Sequence, residues 1–249
     1  MARKRVDSCG ERASTPCKRV ARSLGSGAIH GAGLVGAYRK LGFAVVATSR
    51  NIAPSADPDV LTVQGDISDP ATAERVIAAG VEHFGRIDTL VNNAGVFIAK
   101  PFTEYTLADY DVVTGVNLTG FFRITQLALE QMLAQGGGHV VQVTTSLVDH
   151  ASSDVTSVLA SLTKGGLQSA TKALAIEYAG RGIRSNAVAL GIVKTPMHPE
   201  SYHEVLAAMH PLGRMGEVDD VAEAVVYLEG ASFVTGEILH VDGGQSAGR

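Results

Sequence analysis

The sequence predicts an α/β; doubly wound fold: one parallel sheet with helices on both faces, in a single domain. Two observations carry that expectation. Short β-branched runs alternate with longer segments whose apolar residues recur at helical spacing, the pattern of strands and crossover helices. Glycines, amides and hydroxyls follow directly after several of the runs, where a parallel sheet opens at its carboxyl edge. A chain of 249 residues, 45% hydrophobic, can bury one large core, and no repeat or linker divides it.

Composition excludes several classes of function. The net charge of −4 gives no global reason to expect nucleic acid. Cys9 and Cys17 are the only cysteines, and their spacing suits neither a zinc site nor a disulfide framework. No metal is expected, and a reducing compartment follows. No apolar run approaches the ~20 residues needed to span a membrane. The basic N-terminus has no apolar stretch of the secretory kind. A cytoplasmic protein without a membrane partner is the simplest expectation.

Residues 1–23 stand apart from the rest. They hold seven Lys/Arg against two acids, leaving fourteen against twenty-three beyond them. A first strand of a parallel sheet should be nearly continuous Val, Ile and Leu, yet 18–24 is half polar. Three readings stay open: a basic arm for an anionic partner, a solvated tail, or a stretch read in a wrong frame. The domain boundary is therefore placed at residue 24, with 1–23 as an atypical basic segment and 24–249 as a single domain.

The glycine-rich segment 24–42 reads as strand, turn and helix, where a pyrophosphate meets free N–H groups and a helix dipole. The next strand, 43–49, ends in Ser49 and Arg50. No acid stands there to hold a ribose and one cation does, so NADP is favoured, with NAD possible. A third strand at 60–64 leads to Gly65, Asp66 and Ile67; a helix at 70–84 leads to a fourth strand at 86–91. Asn92, Asn93, Ala94 and Gly95 close that strand with small residues and amides. The segment 106–134 reads as one long helix with Asn117 inside it. The run 140–145 reads as a buried strand ending in hydroxyls. Beyond it, Leu162, Leu167, Ala170, Leu174 and Ile176 have helical spacing, with Lys164 early in that helix beside Gly165 and Gly166. A strand at 182–188, a loop at 190–197, a lid at 198–209 and a closing strand at 234–244 complete the chain.

These marks, from about residue 24 to 245, resemble the short-chain dehydrogenase/reductase family with its Rossmann-type sheet. Gly25 and Gly31 match the family's glycine motif; Ile29 replaces its middle glycine, and Leu24 and His30 replace its Thr and Ile. The resemblance implies cofactor contacts at Gly25, Gly31, Ser49, Arg50, Asp66, Ile67, Asn93, Ala94, Gly95, Lys164, Ile192 and Thr195. Asp66 and Ile67 would neighbour the adenine. The Ile192 backbone and the Thr195 hydroxyl would face the nicotinamide carboxamide, and Lys164 the ribose. Asn117 matches the helix Asn that leads a water to the Lys. A homotetramer or homodimer is implied as well.

The family's proton-donating Tyr should stand four residues before Lys164, and that residue is Ala160. Tyr178 lies about 21 Å along the helix from Lys164, at 1.5 Å per residue, too far to replace it. Ser161 is a poorer acid than a phenol. His150, just beyond the strand-end hydroxyls, is a candidate acid–base, with an ordinary loop histidine as the alternative. Thr145 by strand alignment, or Ser146 by spacing, takes the family's Ser slot. Val96, Phe97, Ile98, Val148, Met197 and Tyr202 suggest a partly apolar pocket. Three readings follow: an oxidoreductase moving hydride between NADP(H) and a small carbonyl or alcohol with non-standard proton transfer; a catalytically silent NADP-binding partner or regulatory protein; or a disrupted gene product with a faulty first strand.

Overall fold

A computed structural model describes residues 20–24, 29–196 and 198–248. Seven strands form one parallel sheet: β1 (Val20–Leu24), β2 (Ala44–Ser49), β3 (Val60–Gln64), β4 (Thr89–Asn92), β5 (Gly138–Thr145), β6 (Ile183–Leu190) and β7 (Ile238–Val241). Their order is β3-β2-β1-β4-β5-β6-β7, so the chain winds outward from β1 in one direction, then from β4 in the other. The reversal falls between β1 and β4, the place where α/β sheets take ligands at their carboxyl edge.

Alternating side chains build a core on each face. Val20, Val46 and Val140 point to one side, where α2 (Pro70–Phe84) and α4 (Phe121–Gln135) cover them with Val76, Ile124 and Met132. Ala21, Val45, Val141 and Val143 point to the other, under Leu34 and Tyr38 of α1 (Ile29–Lys40) and Val225 and Leu228 of α7 (Val218–Gly230). Both faces are dry, which explains the continuous apolar reading of β2 and β5.

The polarity of 18–24 does not keep its last five residues out of the sheet. β1 pairs with β2 from Val20 to Leu24 and with β4 from Ala21 to Leu24. The ladder bonds are main-chain bonds, indifferent to side-chain polarity, and Val20 and Ala21 are fully buried. The sheet thus takes in 20–23, residues that composition had set apart from the domain, and the strand that one of the readings made faulty is paired on both sides.

The segment read as one helix at 106–134 is three pieces. α3 (Leu107–Thr114) passes through a π-type turn at Gly115–Gly120 into α4. The wider turn brings Asn117 inward, where it is buried. α5 (Val158–Tyr178) connects β5 to β6 and packs along both strands, and the short α6 (His203–Ala208) lies in the segment expected as a lid. At the opposite, amino edge of the sheet, Oε2 of Glu229 on α7 accepts from Tyr38 (3.3 Å), Thr89 (3.0 Å) and Nδ1 of His139 (3.0 Å). Asn186 donates to Nε2 of His139 (3.0 Å), so that ring is neutral with its proton on Nδ1, and burial lowers its pKa accordingly.

Candidate active site

A cavity of about 390 Å³ opens at the carboxyl edge, between the ends of β4, β5 and β6 and the lid segment. Asn93, Gly95, Thr145, Ala160, Lys164 and Thr195 all line it, so residues far apart in sequence meet at one place. Lys164 Nζ donates to the Val143 carbonyl (2.8 Å). The lysine stem is half-buried and its amine end enclosed, which lowers its pKa to about 8. A Cβ on Gly95 would lie 2.8 Å from that amine, so glycine is what lets the lysine reach the end of β4. Asn117 fastens the same corner: its Nδ2 donates to Val96 O (3.1 Å) and Thr163 Oγ1 (3.1 Å), and its Oδ1 accepts from Val96 N (2.9 Å). It ties the loop after β4 to α5, and both amide protons are used in doing so.

The two hydroxyls considered for one slot take different places. Thr145 faces the cavity and accepts from Leu147 N (3.3 Å), which leaves its own proton to donate. Ser146 is buried outside the cavity wall, with its hydroxyl on Leu190 O (3.2 Å) and Gln245 Oε1 (3.1 Å). The strand ends at Thr145 and the chain turns at once, which carries Ser146 beneath β6.

His150 does not line the cavity either. Its N–H bonds Ser146 O (2.9 Å), closing the turn that leads it away. His198 does line it, a residue that the sequence placed only at the start of the lid. Ile192 also lines it, but its backbone is committed: its N–H donates to Nε2 of the buried His210 (3.0 Å) and its carbonyl accepts from Gly216 (2.9 Å). That leaves the main chain of Ile192 no donor for a carboxamide. His210 Nδ1 in turn bonds Leu206 O (3.0 Å), so the one ring joins α6 to Ile192 in the loop after β6, a link across 18 residues with no local sequence signal. Thr195 Oγ1 lies 3.4 Å from His198 Nδ1.

Toward β2 and β3, Arg50 is exposed at the end of β2 and Ser49 is half-buried beside it. Asp66 Oδ1 accepts from Ser68 N (3.0 Å) and Oγ (2.7 Å); these bonds, with the nearby Arg50 charge, hold its carboxyl below the ordinary range. Ile67 is buried against Gly120, and Ala94 packs on the core beside it. Gly31 is buried in the first turn of α1. Gly25 and Met197 lie outside the described residues. Of the apolar residues expected in the pocket, Val96 and Phe97 line it, while Ile98, Val148 and Tyr202 do not. Leu147, Val155 and Leu206 take their place, brought in by turns that the sequence pattern does not specify.

A family model described as enoyl-(acyl carrier protein) reductase matches residues 20–246. The chain is 38% identical over 193 residues to a 3-oxoacyl-[acyl-carrier-protein] reductase of Thermotoga maritima, covering 76% of each chain. A solved structure of 3-ketoacyl-(acyl-carrier-protein) reductase from Brucella melitensis, complexed with NADH, superposes with a TM-score of 0.85 at 30% identity, over 92% of this chain and 98% of that one. The structure of ElxO with NADP bound gives the same TM-score at 28% identity, over 93% of this chain and 100% of that one.

Proposed function

This chain belongs to the short-chain dehydrogenase/reductase family, and on that footing we propose that it is an NADP-preferring oxidoreductase acting on a small, uncharged carbonyl or alcohol. The observation that carries the reading is the meeting of Lys164, Gly95 and the Thr145 hydroxyl in one cavity at the sheet's switch point. The relatives solved with NADH and NADP support the cofactor class.

The residues fit a nicotinamide dinucleotide. Gly95 keeps the end of β4 bare beside the Lys164 amine, where a Cβ would intrude. Lys164 would hold the ribose hydroxyls, Asp66 the adenine edge, and Arg50 the 2′-phosphate that distinguishes NADP. The Val193 N–H, next to the committed Ile192, takes no protein partner among the described residues and suits a carboxamide oxygen. Such a cofactor, when bound, supplies or accepts the hydride. Thr145 donates its free proton to the substrate oxygen, and the apolar wall of Val96, Phe97, Leu147, Val155 and Leu206 excludes water and disfavours charged substrates.

Ala160 favours a second reading, a protein that binds the dinucleotide without turning over substrate, because it has no proton to give. Fluorescence titration with NADPH and NADH, followed by a carbonyl panel, separates the two. Binding with turnover supports the first, tight binding alone the second, and no binding sinks both. Two variants sharpen the cofactor assignment. Arg50→Ala is expected to weaken NADPH about tenfold and leave NADH unchanged, since a hydrogen bond to a charged group is worth roughly 1.5–3 kcal/mol. Equal effects on both cofactors would remove Arg50 from the 2′-phosphate. Gly95→Ala is expected to push the Lys164 amine off the Val143 carbonyl and weaken either cofactor about tenfold; unchanged titrations would show that the amine is not the grip.

The chain is further expected to work as a homodimer or homotetramer in the cytoplasm. Leu107, Phe122, Leu162 and Ile176 on α3, α4 and α5 are 60–83% exposed, an apolar surface suited to a second copy, and light scattering gives the mass. No helix among the described residues is long and apolar enough to cross a membrane.

A further inference from the structure

We propose that His198 is the acid–base group of this site, moving a proton between its Nε2 and the oxygen of the bound carbonyl or alcohol. The assignment rests on the oxidoreductase reading above and deepens it.

Elimination is the first argument. Among the described residues that line the cavity, Lys164 and His198 are the only ionisable side chains. Lys164 Nζ is bound to the Val143 carbonyl beside Gly95, the place assigned to a ribose. Thr145 has a free proton, but an aliphatic hydroxyl is too weak an acid to be a net source and serves as a donor only. Tyr178, at the far end of α5, does not line the cavity, nor does His150. Imidazole is the side chain whose proton exchange suits neutral pH.

Orientation is the second argument. His198 Nδ1 lies 3.0 Å from the Val193 carbonyl, which can only accept, so Nδ1 carries a fixed proton. Nε2 is then the nitrogen that gains and loses one, and it has no protein partner among the described residues. His203 Nε2 donates to the His198 carbonyl (2.9 Å), so α6 holds the main chain of the same residue. Among the described residues that line the cavity there is no carboxylate, and Lys164 is the other ionisable group that shares it with His198.

In the reducing direction, a reduced nicotinamide held by Lys164 would supply the hydride for the new C–H bond, and the C=O π pair would move to oxygen. That oxygen takes the proton from His198 Nε2, giving the alcohol. The neutral ring, still protonated at Nδ1, regains a proton from water. Oxidation of the alcohol reverses each transfer.

The test uses the full chain, His198→Asn, Ala160→Tyr and the double variant, with NADPH and with acetophenone and cyclohexanone as probes. Asn keeps a donor for the Val193 carbonyl and lacks Nε2. His198→Asn is expected to lower kcat about 10²-fold, abolish the acid–base limb of the pH profile and leave NADPH fluorescence titrations unchanged. In the Ala160→Tyr background the same change is expected to cost little, because a phenol then supplies the proton. Nitrogen NMR of the protein without cofactor is expected to show a fixed proton on Nδ1 and titration at Nε2. An unchanged rate and profile in His198→Asn overturns the assignment while leaving the oxidoreductase reading intact. So does a loss of NADPH affinity that matches the loss of rate, or a fixed proton on Nε2. A parent without turnover that Ala160→Tyr restores shows that His198 delivers no proton. A parent that binds no nicotinamide dinucleotide overturns the proposed function and this assignment together.

Discussion

Ala160→Tyr is expected to raise kcat/KM by about 10²-fold, the lower end of the roughly 10²–10⁴ that general acid catalysis contributes, because His198 already supplies part of it. Position 160 is four residues before Lys164, one turn away on the same helix face. It is only 3% exposed, yet it borders the 390 Å³ cavity, so a larger side chain has space to enter without displacing the core. A phenol there would stand between the Lys164 amine and the substrate oxygen, and the nearby ammonium would favour its ionised form. NADPH affinity should change little, since the proposed grip on the cofactor is Lys164 and the end of β4 rather than residue 160. Steady-state kinetics beside a fluorescence titration checks both quantities. A variant that binds NADPH as the parent does and gains no rate would mean that a phenol at 160 does not reach the substrate oxygen, and if the parent is inert as well, that no hydride chemistry occurs in this cavity.

Lys164→Met is expected to weaken NADPH binding about 10- to 100-fold, the equivalent of roughly 1.5–3 kcal/mol for hydrogen bonds from a charged donor. It should also make the protein without cofactor more stable at neutral pH. Burial holds the Lys164 amine to about 8, below its ordinary 10.5. Between those two values the unfolded chain binds the proton and the folded one does not, so parent stability rises with pH across that window. Below about 8 both states are charged, and the full cost of enclosing the ammonium is present. Methionine, of similar shape and uncharged, removes that cost and the slope. In the parent, cofactor affinity should fall as pH rises through about 8, because the gripping group is the protonated amine; in the variant that limb should vanish. Melting temperatures and titrations between pH 6 and 10 read both signs. A parent with no stability slope in the window would show that the amine stays hydrated, and a variant that keeps full affinity would show that Lys164 does not touch the cofactor.

Much of this architecture was legible in the chain. The strands at 60–64 and 140–145, the helix at 70–84 and the Lys164 helix stand where periodicity placed them, because burial on both faces of a parallel sheet imposes a simple pattern. Asp69 capping α2 through Ala71 N (3.0 Å), Pro70 in its first turn and Gly85 at φ 80° after its end are local signals that fix one helix without tertiary help. The π-type turn at Gly115–Gly120 was not legible, because its periodicity differs from that of a helix by a single residue. The place of β1 was not legible for a different reason: main-chain pairing on both sides tolerates polarity that composition penalises.

The sequence by itself determined the fold class, the order of its elements, the amine at residue 164 and the missing phenol at 160. Each is set by covalent position or by a period repeated along one element. Only the tertiary structure decided that Thr145 and not Ser146 faces the cavity, that His210 occupies the Ile192 amide, and that His198 replaces His150 at the wall. Those choices depend on where turns aim single side chains and on contacts between segments tens of residues apart. No short window of sequence encodes such contacts, because their energy exists only once the sheet has brought the strand ends together.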